Sequence, residues 1–209
     1  MTEHEPSSQR RDPGRSRSQF WVLVAIFFGP LLVAFLLYYG ATAWRPAGRT
    51  NHGELLQPPI AIPELQLAAA DGAPLPATVL RDKWSIVYVG KGDCDARCQE
   101  ALTLMRQTRL ALHDDLPRVQ RVFLVTENCC DQDYLQAEHA GLITVLLEEV
   151  QGEQLQAMFQ RATPEPLSAA GRIYIVDPLG NLMMSYGPSS EPKGLLEDLK
   201  KLLKLSHIG

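Results

Sequence analysis

The chain has 209 residues, 45% of them hydrophobic and 21% charged, with a formal net charge of −4. That length suits one globular domain plus an extra segment rather than two full domains. A mildly acidic chain with no basic stripe argues against nucleic acid, and against docking on anionic lipid by charge.

Residues 1–17, "MTEHEPSSQRRDPGRSR", are polar and unpatterned and read as a disordered tail. Residues 18–44 follow as a transmembrane anchor: no charged residue lies between Arg17 and Arg45, and Phe20 to Trp44 is almost wholly apolar. About 20 such residues span the hydrocarbon core of a bilayer. Trp21, Tyr38, Tyr39 and Trp44 sit near its two ends, where amphipathic rings favour the headgroup region. Pro30 lies mid-span, where a membrane helix tolerates it with a kink. Arg10, Arg11, Arg15 and Arg17 precede the span while only Arg45 and Arg49 follow closely, which predicts a cytoplasmic N-terminus. In a bacterial cell this is a single-pass inner-membrane protein with its C-terminal domain in the periplasm. The rival is a signal peptide cleaved after Ala41-Thr42-Ala43, but the apolar core of such peptides is shorter, about 7–15 residues.

Beyond the span, residues 45–209 carry 16 basic and 21 acidic residues, net −5, and all four cysteines. Residues 45–61 read as an extended linker, and His52 within it as solvated. The globular domain is predicted over 62–209. It starts with a short strand, a turn at Asp71-Gly72, and a second short strand or loop. "WSIVYVG", Trp84–Gly90, is a continuous apolar run typical of a strand buried on both faces. A helix over 96–113 places Leu102, Met105 and Leu112 on one stripe, and Pro117 closes it. "RVFLVTEN" is the next strand, in a strand–helix–strand order that implies a parallel crossover. "GLITVLLEEV" reads as a short strand and "GEQLQAMFQRA" as a helix. Strands at Ile173–Val176 and Leu182–Tyr186 form a hairpin across Asp177-Pro178-Leu179-Gly180. The last helix buries Leu195, Leu199 and Leu202.

Cys94 and Cys98 lie where the strand of "VGKGDCDARCQEALTLM" gives way to the helix. Four residues apart in a helix's first turns, their sulfurs share one face. The spacing suits a redox pair, a two-thiolate metal site or a structural disulfide. The helix N-terminus and Arg97 favour a thiolate, Asp93 and Asp95 oppose it, and the strand-to-helix turn predicts an exposed Cys94. Cys129 and Cys130 follow the next strand; neighbouring parallel strands end on one side of a sheet, so their loop is expected beside that of Cys94. Four thiols then gather at one rim as coupled thiols, the alternatives being a local structural pair or a free buried cysteine. A four-thiolate zinc site fits the ligand set, but an adjacent pair is poor geometry for a tetrahedron. His113, His139 and His207 are expected at the surface, and one of Met183 and Met184 in the core.

The anchor, "LAAADGAPLPATVLRDKWSIVYVG", "CDARC" and "IYIVDPLGNLMMSYG" together resemble the Sco-type assembly proteins of cytochrome c oxidase, over roughly residues 62–205. The resemblance implies an α/β, thioredoxin-like fold, a central mixed sheet with flanking helices, behind one N-terminal transmembrane helix. It implies Cu(I) as the ion handled, Cys94 and Cys98 as redox pair and copper ligands, and oxidase subunits or other copper chaperones as partners. Two features of that family are missing. Its third copper ligand, a histidine ahead of the DPxG strand, corresponds to a position near Ala169, and no histidine occurs from Ala140 to Ser206. The cis-proline usual before that strand in redox-active thioredoxins is replaced by Ala169-Ala170-Gly171, with Pro164 and Pro166 too early. Two soft thiolates suffice for Cu(I), so the lost imidazole weakens Cu(II) binding most. The alternatives are a periplasmic thiol-disulfide oxidoreductase and a non-catalytic scaffold with structural cysteines.

Overall fold

A computed structural model describes residues 13–40, 50–148, 150–206 and 208, with 13–17 described by backbone alone. The chain divides into two compact units, Met1–Gly48 and Arg49–Gly209. In the first, helix α1 spans Pro13–Gly40 and contains Pro30. Its Ser18–Gly40 portion, 23 residues, is long and apolar enough to cross a membrane. At 1.5 Å per residue that portion is about 34 Å long, against a hydrocarbon core of about 30 Å. Phe20, Leu23, Phe27, Leu31 and Phe35 are all exposed on it. Most of the residue 1–17 tail, Trp44, the 41–43 cleavage signal, Arg45, Arg49 and His207 lie outside the described residues.

The second unit is built on one seven-stranded sheet, ordered β1-β7-β6-β3-β4-β5-β2. Its strands are β1 (Glu54–Ala61), β2 (Ala68–Ala69), β3 (Trp84–Gly90), β4 (Val119–Val125), β5 (Leu142–Leu146), β6 (Ile173–Val176) and β7 (Asn181–Tyr186). β3 pairs parallel with β4 from Trp84↔Val119 to Gly90↔Val125, and β4 pairs parallel with β5. β6 lies antiparallel on the other side of β3, and β7 returns beside β6 through the expected turn. In that turn the Asp177 carboxylate accepts from the Leu179 and Asn181 backbone N–H groups, and Gly180 takes a φ of 84°.

Every residue of β3 is buried, because helices cover both faces of the sheet. Successive side chains point to opposite sides. Trp84, Ile86 and Tyr88 enter one cluster with Leu102 and Met105 of α2 (Ala96–Leu110) and Leu195, Leu199 and Leu203 of α6 (Pro192–Leu205). Val87 and Val89 enter the other with Leu155 and Phe159 of α4 (Val150–Gln160). Leu202 is only half-buried; the stripe runs through Leu203 instead. Met184 is the core methionine of its pair.

Further local outcomes differ from the sequence reading. Residues 54–61, expected within the linker, are extended but belong to the sheet as its edge strand, antiparallel to β7. α2 stops at Leu110 rather than residue 113, and His113 opens a 3-10 turn over His113–Arg118. Two short helices were not foreseen: α3 (Gln132–Glu138) and α5 (Leu167–Ala170). His139, expected at the surface, is 1% exposed.

The burial of His139 makes it a pH-sensitive element of the fold. Its Nε2 lies 2.9 Å from the Tyr134 hydroxyl, while Nδ1 is buried without a hydrogen-bond partner. Burial depresses its pKa below the ordinary 6.5; Arg106 and Arg121 push the same way and Glu138 opposes them. The fold therefore holds the neutral ring, while the unfolded chain takes up a proton near 6.5. Stability is complete above that pH and declines as pH falls through it. The melting temperature of the wild type is expected to fall more between pH 7.5 and 5.5 than that of His139→Gln; parallel profiles would remove His139 as the cause.

Candidate functional site: two disulfides at the sheet edge

β3 ends at Gly90, and the chain crosses to α2 through Lys91, Gly92, Asp93, Cys94 and Asp95. Asp95 is the N-cap of α2: its carboxylate accepts the Cys98 backbone N–H at 3.0 Å, satisfying one of the free donors of the first turn. Cys94 has a φ of 40°, a left-handed conformation unusual for a residue with a side chain. Gln99 Nε2 donates to the Cys94 carbonyl at 3.1 Å. Together these turn Cys94 toward the first helical turn, where it is disulfide-bonded to Cys98 with Cα atoms 5.0 Å apart.

Both cysteines are 3% exposed and belong to the hydrophobic cluster between the sheet, α2 and α6. The expected exposure of Cys94 is thus not observed, because the turn folds its side chain inward under α2. Cys98, equally buried, lines a small cleft instead. A cleft of about 120 Å³ is bounded by Tyr88, Asp93, Arg97, Cys98, Ser168 and Ala169. Ala169, at the position matched to the missing histidine, is exposed and faces this cleft. Arg97 Nη1 donates to the Ala169 carbonyl at 3.1 Å, tying α5 to the start of α2. Gly171 follows α5 with a φ of 54°, and a Cβ there would lie 2.5 Å from Arg97 Cδ. Burial, reinforced by the Asp95 charge and opposed by Arg97, raises the Tyr88 pKa to about 12, so its hydroxyl stays protonated at neutral pH.

The second cysteine pair lies against the same loop. Gly92 N–H donates to the Glu127 carbonyl at 2.8 Å, and the Gly92 carbonyl accepts from Asp131 N–H at 3.4 Å. A Cβ on Gly92 would lie 2.4 Å from the Asn128 oxygen and 2.6 Å from Cys129 Cα. The loops after β3 and β4 are thus in direct backbone contact, as the parallel pairing predicts. Cys129 and Cys130 are disulfide-bonded to each other rather than to the first pair. Cys129 is exposed, while Cys130 is half-buried and packs on the cluster that holds Cys94 and Cys98. Lys91 and Glu127 pair across the loops at 2.8 Å; that bond and the Glu127 charge raise the Lys91 pKa.

As donors, the residues offer two thiolates at Cys94 and Cys98 once reduced. Among the described residues no three histidine, cysteine or acidic side chains are grouped to hold a metal ion. His52 instead pairs with Glu197 at 2.9 Å and His139 contacts Tyr134, each through Nε2. Once reduced, the Cys94 and Cys98 sulfurs are donors of the kind a soft monovalent ion accepts.

No curated protein matches this chain. Among solved structures, the copper-bound ScoI of Arabidopsis thaliana is 20% identical with a TM-score of 0.57, covering 70% of this chain and 99% of that one. The copper-bound ScoI of Bradyrhizobium japonicum is 16% identical with a TM-score of 0.53, covering 68% and 98%. BsSco, described as having a disulfide switch and as a member of the Sco family of cytochrome c oxidase assembly proteins, is 9% identical with a TM-score of 0.51, covering 73% and 100%. At such identities the likeness establishes the thioredoxin-like fold. A model for the "transmembrane-like, thioredoxin-like, C-terminal domain" matches residues 84–206, from the first residue of β3 to just beyond α6. More than half of the chain lies within that match, and the chain belongs to this family of transmembrane-like, thioredoxin-like C-terminal domains.

Proposed function

We propose that this protein is a membrane-anchored assembly factor for cytochrome c oxidase, acting through thiol redox chemistry and Cu(I) handling at Cys94 and Cys98. The observation that carries the reading is the Cys94–Cys98 disulfide at the β3–α2 junction, with Cys98 lining a small cleft. The fold shared with copper-bound ScoI structures and with BsSco supports it. Reduction of the pair places two thiolates at the start of a 15-residue helix, whose dipole favours negative charge. Cu(I) is the cargo those two sulfurs accept, and the cleft at Cys98 has room for an ion. The apolar span with arginines ahead of it supports a cytoplasmic N-terminus and a periplasmic domain in the inner membrane. The partners consistent with this role are oxidase subunits or other copper chaperones.

The test is anaerobic Cu(I) titration of the reduced full-length protein in detergent. One equivalent is expected to bind, and binding is expected to be lost in Cys94→Ser and in Cys98→Ser. Undiminished binding in both variants, or none in the wild type, overturns the copper role. Cu(II) is expected to bind poorly, and Ala169→His, facing the same cleft, to strengthen it by adding an imidazole. Tight Cu(II) binding by the wild type with thiolate-to-metal absorbance would show that a ligand had been missed.

The oxidised pair, with no third donor grouped beside it among the described residues, also favours a second reading as a thiol-disulfide oxidoreductase. Reduction of a partner's disulfide at an undiminished rate with copper chelated, coupled to oxidation of Cys94 and Cys98, would select it. If Cys94 and Cys98 never leave the disulfide state, both readings fail and the scaffold remains.

A further inference from the structure

The two disulfides differ in who can reach them. The cleft at Cys98 is about 120 Å³, room for several waters. That is enough for an ion or the end of a small thiol. A cysteine carried on a folded protein must bring its surrounding surface with it, and both Cys98 and Cys94 are only 3% exposed. Cys129, by contrast, stands exposed on a loop whose backbone touches the Cys94 loop at Gly92. Cys130 bridges the two environments: it is bonded to Cys129 and packs on the cluster containing Cys94 and Cys98.

From this we propose that Cys129–Cys130 is a second thiol site, the port through which a protein dithiol reduces the buried Cys94–Cys98 disulfide. The proposal rests on the reading of Cys94 and Cys98 as a cycling pair and gives that pair its electron donor class. A donor thiolate attacks Cys129 Sγ, forming a mixed disulfide and releasing the Cys130 thiolate. The donor's second thiolate attacks its own partner sulfur in that mixed disulfide; the donor leaves oxidised and Cys129 is freed. The Cys130 thiolate then attacks Cys94 Sγ, and Cys98 departs as a thiolate in the first turn of α2, where the helix dipole stabilises it. Finally the Cys129 thiolate attacks Cys130 Sγ, restoring the vicinal disulfide and freeing Cys94. Two electrons and two protons pass from the donor dithiol to Cys94 and Cys98, and the vicinal pair ends as it began. Ion traffic and electron traffic thus use different faces of one site.

The experiment compares the full-length wild type with Cys129→Ser/Cys130→Ser, following free Cys94 and Cys98 by rapid alkylation and peptide mapping. Reduced thioredoxin serves as the protein dithiol and 2-mercaptoethanol as the small one. The double variant is expected to be reduced by thioredoxin at least tenfold more slowly than the wild type, and by 2-mercaptoethanol at an unchanged rate. Thioredoxin rates within threefold of each other overturn the port while leaving the cycling pair intact. A wild-type Cys94–Cys98 bond inert to both reductants removes the cycling pair, and the port with it. Cys98→Ser gives an independent readout, because exchange with the vicinal disulfide needs no added oxidant. Peptide mapping is expected to find Cys94 joined to Cys130 or Cys129, and Cys94 remaining wholly free in that variant overturns the exchange step.

Discussion

A single methyl group added at Gly92 is expected to destabilise the domain and separate its two cysteine loops. The new Cβ of Gly92→Ala would lie 2.4 Å from a backbone oxygen, 2.6 Å from Cys129 Cα and 2.9 Å from the Asn128 carbonyl carbon. All three are main-chain atoms, so no side chain can rotate out of the way. The loops must part, and the bonds from Gly92 N–H to Glu127 and from Asp131 N–H to Gly92 lengthen with them. Overpacking of this kind costs about 1–3 kcal/mol, which in a domain of this size is roughly 3–10 °C in Tm. Calorimetry on the variant measures it. Reduction by thioredoxin is expected to slow in the same variant, since the vicinal pair moves off the Cys94 loop while Cys98 keeps its own cleft. An unchanged Tm would mean that the loops are not in the contact described.

Much of the route to this site was legible in the sequence, because its main elements are strongly patterned. The run Trp84–Gly90 has no polar residue except Ser85, which only a strand covered on both faces tolerates. The parallel order of β3 and β4 then follows from the helix between them, and with it the adjacency of the Cys94 and Cys129 loops. The place of Ala169 beside the cysteines came from the resemblance to Sco-type proteins and not from patterning: it is the counterpart of their histidine, and it lines the Cys98 cleft. β1 was less legible. Pro58 and Pro59 look like linker residues, yet prolines are admitted at a sheet edge, where a missing N–H costs no ladder bond. The register of β1 against β7 shifts between Leu55 and Ile60, the stretch that contains them. α3 carries a local signal in Asp131, an N-cap whose carboxylate accepts from the Tyr134 backbone N–H three residues ahead. The burial of Cys94 and His139 left none, since it depends on what packs over each side chain and not on the polarity of its neighbours.

The attachment of β1 itself depends on one carboxylate, and its removal is expected to have the largest effect on stability. Asp198 lies on the buried face of α6, 2% exposed among leucines. Its Oδ2 accepts from His52 N–H at 2.8 Å, Gly53 N–H at 2.9 Å and the Tyr186 hydroxyl at 3.0 Å. Thus one side chain joins the residues entering β1, the end of β7 and α6. The fit around it is close: a Cβ on Gly53 would lie 2.5 Å from Tyr186 Cζ, and one on Gly194 2.5 Å from His52 Cβ. Burial, then the Asp198 charge and the shared hydrogen bond, keep the Tyr186 hydroxyl protonated well above its ordinary range, so it remains a donor throughout. Asp198→Ala leaves the His52 and Gly53 N–H groups without their acceptor and the Tyr186 hydroxyl with only Met184 Sδ at 3.8 Å. Unsatisfied buried donors cost about 1–3 kcal/mol each, although water entering the space recovers part of this. A net loss of about 3 kcal/mol or more is expected, corresponding to a Tm lower by roughly 6–12 °C. Asp198→Asn, which keeps a carbonyl oxygen in place, is expected to lose clearly less. Glu197→Ala provides the contrast on the same helix: it removes only the half-exposed pair with His52, worth under about 1 kcal/mol. Hydrogen exchange separates local from global loss, because Asp198→Ala should release the β1 amides first. If Asp198→Ala costs no more than Glu197→Ala, β1 is held by its ladder with β7 alone, and the buried carboxylate is not what joins it to α6.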